Sequence, residues 1–153
     1  MSKDQRENLI GLLSFGFFIM LFALFFIVVP GYYGKVADFF GDFELKEVAS
    51  NLLLPAPESH HPVVYETVMR FCIVFGLFQF FVLALRFYLK SAVSKVAETI
   101  SNIVLWLGAA YMSNLLFLEQ LKWFTFLGGL LAVLGFSIIA RSVSLLLFQF
   151  RKT

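Results

Sequence analysis

The chain has 153 residues, of which 60% are hydrophobic and only 14% charged, against roughly 45–50% and about 25% in soluble domains. A soluble fold of this size leaves too much surface in water to hide that much apolar side chain, so a lipid bilayer must solvate most of it. A net charge of +2 gives no basic footprint for nucleic acid, and the single cysteine, Cys72, excludes an intramolecular disulfide and any CxxC motif.

In chain order, Leu9–Val29 carries no charge and is long enough, at about 1.5 Å per residue, to cross the roughly 30 Å hydrocarbon core. It ends at Pro30-Gly31, a natural helix stop. The stretch Ile27-Val28-Val29-Pro30 lacks the small-residue pattern of a signal-peptide cleavage site, so the segment is expected to remain as a first span.

Residues 31–62 form the main polar segment. Within it Val36, Phe39, Phe40 and Phe43 follow i, i+3, i+4, i+7 spacing, with Lys35, Asp38, Asp42 and Glu44 among them, the pattern of a short amphipathic helix on a membrane surface. Pro55, Pro57 and Pro62 predict an extended connector over Leu52–His61. Further spans are expected near 63–85, 100–118 and 121–141. The last can extend to 150, since no glycine or proline interrupts Ser142 to Phe150. No internal repeat is found, so an inverted-repeat transporter has no support.

The fold class expected is therefore an all-α integral membrane protein. It would be a single-domain four-transmembrane-helix bundle, with a short amphipathic interfacial helix in its first, outer loop. Lys3, Arg6, Arg86, Lys90, Lys95, Arg151 and Lys152 fall on the side of the termini, with Arg141 at its boundary. The opposite side holds Lys35, Lys46 and Lys122, with Arg70 at its boundary, among many acids. The positive-inside rule then predicts a multi-pass protein of the cell membrane with both termini cytoplasmic.

Glu66 and Arg70 share a helix face four residues apart. Structural pairing is the plainer reading, beside a role as a gate or solute-binding pair. Glu98 and Arg141 are expected near the cytoplasmic surface as an interhelical bridge, or else with Arg141 reaching lipid phosphate. Cys72, Gly76 and Gln79 line one face of the second span. Gln79 there needs a polar partner such as Asn102, Ser113 or Asn114, or another subunit's copy. Gly128, Ala132 and Gly135 on the fourth span, and Ala109 with Ser113 on the third, make small-residue stripes suited to packing these two spans as a hairpin.

His60 and His61 with Glu58 offer metal-ligand types. Adjacent histidines in an extended segment diverge, however, and a solvated loop is the simpler reading, so no metal is expected. Twenty-one phenylalanines include the stripes Phe15, Phe18, Phe22, Phe25 and Phe71, Phe75, Phe78, suited to lipid or helix packing. No span carries a histidine that could ligate haem, and no cofactor is expected. Lys122 and Trp123 sit where interfacial anchors belong.

There is no HExxH, GxSxG, P-loop, K⁺-filter or regular arginine series. No catalytic residue is expected, and an enzyme is the less favoured class. Three functions remain open. One is a structural or accessory subunit that self-associates or binds a protein partner within the bilayer. Another is a homo-oligomeric channel or small-solute transporter through Gln79 and the Glu66–Arg70 pair. The third is a membrane-embedded enzyme on lipid, using Glu58, His60, His61 and Glu66.

Overall fold

The computed structural model describes residues 2–150; Arg151 and Lys152, counted in the charge asymmetry above, lie outside the described residues. The order is α1 (Lys3–Val28), α2 (Tyr32–Gly41), β1 (Phe43–Ala49), β2 (Leu52–Pro57), α3 (Pro62–Tyr88), α4 (Val93–Phe117) and α5 (Trp123–Phe150). Four of these, α1, α3, α4 and α5, are long and apolar enough to cross a membrane.

Local chemistry sets the helix ends. Ser2 caps α1 in a capping box: its Oγ accepts from the Gln5 N–H at 3.2 Å, and the Gln5 side chain accepts from the Ser2 N–H at 2.8 Å. Pro30 and Gly31 turn the chain into α2, and Gly31 takes φ +66°, a left-handed conformation that glycine adopts without steric cost. Pro62 starts α3 at a position where a missing N–H costs nothing. α4 begins at Val93, earlier than its apolar run. α5 continues unbroken to Phe150, so the apolar tail belongs to the fourth long helix.

The all-α expectation needs correction in the polar segment. The connector over Leu52–His61 is in part a strand: β2 pairs antiparallel with β1, from Phe43↔Pro57 to Ala49↔Leu52, with an irregularity between Glu47 and Ala49. Prolines are tolerated because each strand of a two-stranded sheet has a free edge on which no N–H is required. Asn51, at φ 70°, supplies the turn, a conformation asparagine visits more readily than most residues. Phe43 consequently opens β1 instead of closing the short helix.

α3 and α4 form the central pair, α5 packs on α4, and α1 packs more sparsely on α3. At the α3–α4 seam Val82, Ala97 and Thr99 are fully buried. Gly76 admits Leu107 so closely that an added Cβ would lie 2.7 Å from Leu107 Cδ2. α1 is held to this pair by rings. Phe17 stacks on Phe78 with centroids 3.9 Å apart, and Phe18 meets Phe71 and Phe75 edge-on at 5.2 and 5.4 Å. Of the first stripe, Phe18 and Phe25 meet rings of α3, while Phe15 and Phe22 stay exposed.

The expected hairpin seam of the third and fourth spans also needs correction. Gly128 and Gly135 have nothing within 4 Å of a would-be Cβ. The close approaches of α4 and α5 are Gly108 under Val133, where a Cβ would lie 2.6 Å from Val133 Cγ1, and Gly129 under Met112. Ser113 is buried, and Ser101 Oγ donates to the Ser137 carbonyl at 2.7 Å across the same interface.

Val133 is β-branched and cannot swing away, whereas Met112 is flexible. Gly108→Ala should therefore cost about 1–3 kcal/mol by overpacking, with Gly129→Ala costing less. Gly16→Ala, which meets open space, should stay within about 0.5 kcal/mol of wild type. Unfolding midpoints in detergent check this order, and equal midpoints for Gly108→Ala and Gly16→Ala would contradict the seam.

Candidate functional site at the capped end

α2 and the β1–β2 hairpin fold over one end of the long helices and enclose a cluster of polar and aromatic side chains. Phe39, on the apolar face of α2, is buried with Val64, Tyr65, Leu116 and Phe126, and Phe43 and Trp123 pack against this group. The rings meet mostly edge-on: Phe39 to His61 at 5.3 Å, Phe39 to Tyr65 at 6.0 Å and Phe43 to Trp123 at 5.5 Å. The amphipathic spacing in 31–43 thus buries Phe39 against the chain's own helices, while Phe40 stays 70% exposed.

Asp42 is the fastener. It follows α2 and sits at the foot of β1, where it receives three bonds from the segment entering α3. The Ser59 backbone N–H donates to Oδ2 at 2.7 Å, the Ser59 hydroxyl to Oδ1 at 3.0 Å, and His61 Nε2–H to Oδ2 at 2.8 Å. The Glu58 N–H also donates to the Asp42 carbonyl at 3.0 Å. The backbone donor of Ser59 and then the His61 ring hold the Asp42 carboxyl well below its ordinary 3.8, at about 2, since donors aimed at a carboxylate favour its charged form.

The residues with metal-ligand chemistry are drawn apart. His61 turns to Asp42, His60 approaches Glu119 at 3.7 Å with its ring on Tyr65, and Glu58 stays exposed. His60, Glu58 and Glu119 border a cavity of about 280 Å³. Among the described residues no group of three or more His, Cys, Asp or Glu is placed to hold a metal ion. No family model matches this chain, and neither a curated protein nor a solved structure is significantly similar to it.

The remaining polar residues singled out above fall elsewhere. Arg70 Nη2 pairs with Glu66 Oε1 at 2.5 Å on an open face, with the arginine side chain 62% exposed. Gln79, 2% exposed, donates to Ser14 Oγ on α1 at 3.1 Å. Its partner is thus on the first span, and Asn102, Ser113 and Asn114 are not used. The Glu98–Arg141 bridge does not form. Glu98 pairs with Lys95 at 3.1 Å, one turn away on its own helix, and Arg141 is exposed.

Asp42, Ser59 and Ser14 escape a reading by segment, because their partners lie far along the chain. Arg86 had a usable signal: with Cys72, Gly76 and Gln79 it continues one buried face of α3 at spacings of four, three and seven.

Because the folded carboxyl titrates below its free value, the Asp42 clamp contributes in full above about pH 4. It weakens between 3.8 and about 2 and is absent below that. Hydrogen exchange at the hairpin amides of residues 43–57 should accelerate through this window in wild type. In Asp42→Asn it should be fast already at pH 6. Identical exchange in the two proteins at pH 6 would remove the clamp.

Proposed function

We propose that this protein is a non-catalytic subunit of a membrane assembly. It would be a four-transmembrane-helix bundle in the cell membrane, with its cap outside and both termini cytoplasmic, that associates with itself or a protein partner through α5. The observation that carries the reading is the open face of α5. Gly128 and Ala132 are exposed there, and Gly128 and Gly135 have empty space where a Cβ would stand. They lie four and three residues apart on one face, so another helix backbone can approach closely. Few residues of α5 are fully buried within its own chain.

The polar groups support a scaffold over a conduit. Gln79 is spent on Ser14, Ser101 on the Ser137 carbonyl, and Thr67 and Thr99 bond carbonyls one turn back on their own helices. A conducting path needs polar side chains free to meet water or an ion. An enzyme needs a base beside a nucleophile, and His60 and His61 are turned to different carboxylates.

Purified in mild detergent, the full chain should migrate as an oligomer or with a second membrane protein. Gly128→Ile combined with Gly135→Ile should weaken that association about tenfold or more while leaving helix content unchanged. A wild-type protein that is monomeric and carries no partner at any detergent concentration tested would overturn the proposal.

A further inference from the structure

At the end opposite the cap, the start of α1, the end of α3 and the start of α4 leave a cavity of about 560 Å³ between them. Its lining changes character along α1. Glu7 stands at the polar end, and Gly11, Leu12 and Phe15 follow one and two turns further on. Leu12 and Phe15 are 64% and 63% exposed, so this wall opens sideways to the hydrocarbon. Gly11 has nothing within 4 Å of a would-be Cβ, which leaves room beside the helix. Across the cavity stand Arg86, Lys95 and Glu98.

The charges here do not cancel evenly. Lys95 and Glu98 satisfy each other at 3.1 Å, which leaves Arg86 and Glu7. Arg86 is only 7% exposed, and its one bond runs from Nη1 to the Lys95 carbonyl. Arg86 Nε and Glu7 Oε2 are both buried and have no partner among the described residues. These two side chains do not pair with each other. A buried guanidinium with a single carbonyl bond and a half-buried carboxylate with no side-chain partner among the described residues line one cavity and suit a ligand that carries both charges.

We propose that this cavity holds the headgroup of an aminophospholipid from the adjoining leaflet. Its phosphodiester lies against Arg86, its primary ammonium against Glu7, and one acyl chain runs along Gly11, Leu12 and Phe15. A guanidinium presents N–H donors in a fork that matches phosphate oxygens. The Glu7 carboxylate that borders the cavity is matched by an N–H donor, which a primary ammonium has and the quaternary ammonium of a choline headgroup lacks. A glycerol headgroup brings no cation at all. The apolar wall distinguishes a lipid from a free phosphorylated amine, which has nothing to place there.

The test is native mass spectrometry of the full-length protein. It is titrated separately with phosphatidylethanolamine, phosphatidylcholine and phosphatidylglycerol of matched acyl chains, with soluble phosphoethanolamine as competitor. Phosphatidylethanolamine should be retained about tenfold more tightly than the other two. Glu7→Gln should abolish that preference, and Arg86→Gln should weaken retention of phosphatidylethanolamine itself by about tenfold. Circular dichroism establishes that each variant is folded. Should Arg86→Gln not fold, Glu7→Gln decides alone, since it removes a charge and no volume. Equal retention of the three lipids by wild type, or an unchanged preference in Glu7→Gln, overturns the proposal. Displacement of the lipid by equimolar phosphoethanolamine overturns its lipid part and assigns the cavity to a soluble phosphorylated amine.

Discussion

The close approach of α3 and α4 is the contact on which the other elements depend. Hydrocarbon offers no hydrophobic drive to bring apolar helices together, so shape and hydrogen bonding must do it. Gly76 lets Leu107 settle against the α3 backbone, and Ala97, Thr99 and Val82 complete the seam. α5 then adds to the far side of α4 under Gly108 and Gly129, and α1 adds to α3 through stacked rings. α2 and the hairpin close over the end where Tyr65, Leu116 and Phe126 converge. Loss of the central seam would leave each of these without a surface to pack on.

Polar side chains are distributed with the same economy. Within the long helices Thr67 and Thr99 bond carbonyls a turn away and Ser101 a carbonyl of α5, and Gln79–Ser14 ties α1 to α3 where the rings supply no directional bond. At the capped end a single carboxylate gathers three donors from a segment 17–19 residues further along the chain. Asp42 therefore does locally what a disulfide does in a secreted loop, without a cysteine. At the opposite end Arg86 keeps one bond, to the Lys95 carbonyl, and Glu7 Oε2 has no partner among the described residues.

The four long helices were legible because a bilayer demands long apolar runs, and their ends were less so. Hydropathy marks the apolar centre of a helix, and α4 starts earlier because Lys95 and Glu98 neutralise each other within its first turns. Pro55 and Pro57 marked the stretch Leu52–His61 as extended, but nothing local showed that it pairs with residues 43–49. Rotation about the helix axis was the least legible property. Gly128 and Gly129 are neighbours in sequence but about 100° apart around α5, so small residues alone did not reveal which of them faces α4. The same ambiguity hid Ser14 as the partner of Gln79, because pairing between helices depends on which faces meet. Of the capped cluster, the apolar spacing around Phe39 was visible, while the Asp42 clamp joins segments too distant for any local pattern.

The unequal composition of the long helices also bears on how the chain enters a membrane. α1 is the most apolar of the four and α4 the least. α1 emerges from the ribosome before α3 does, and its higher hydropathy suits it to lipid while Ser14 waits for Gln79. α4 emerges next to a finished α3 and can rely on it, which lets it carry Ser101, Asn102, Ser113 and Asn114. Order of synthesis and order of packing thus agree, and the helix least suited to solitary insertion is the one that is never required to insert without a neighbour.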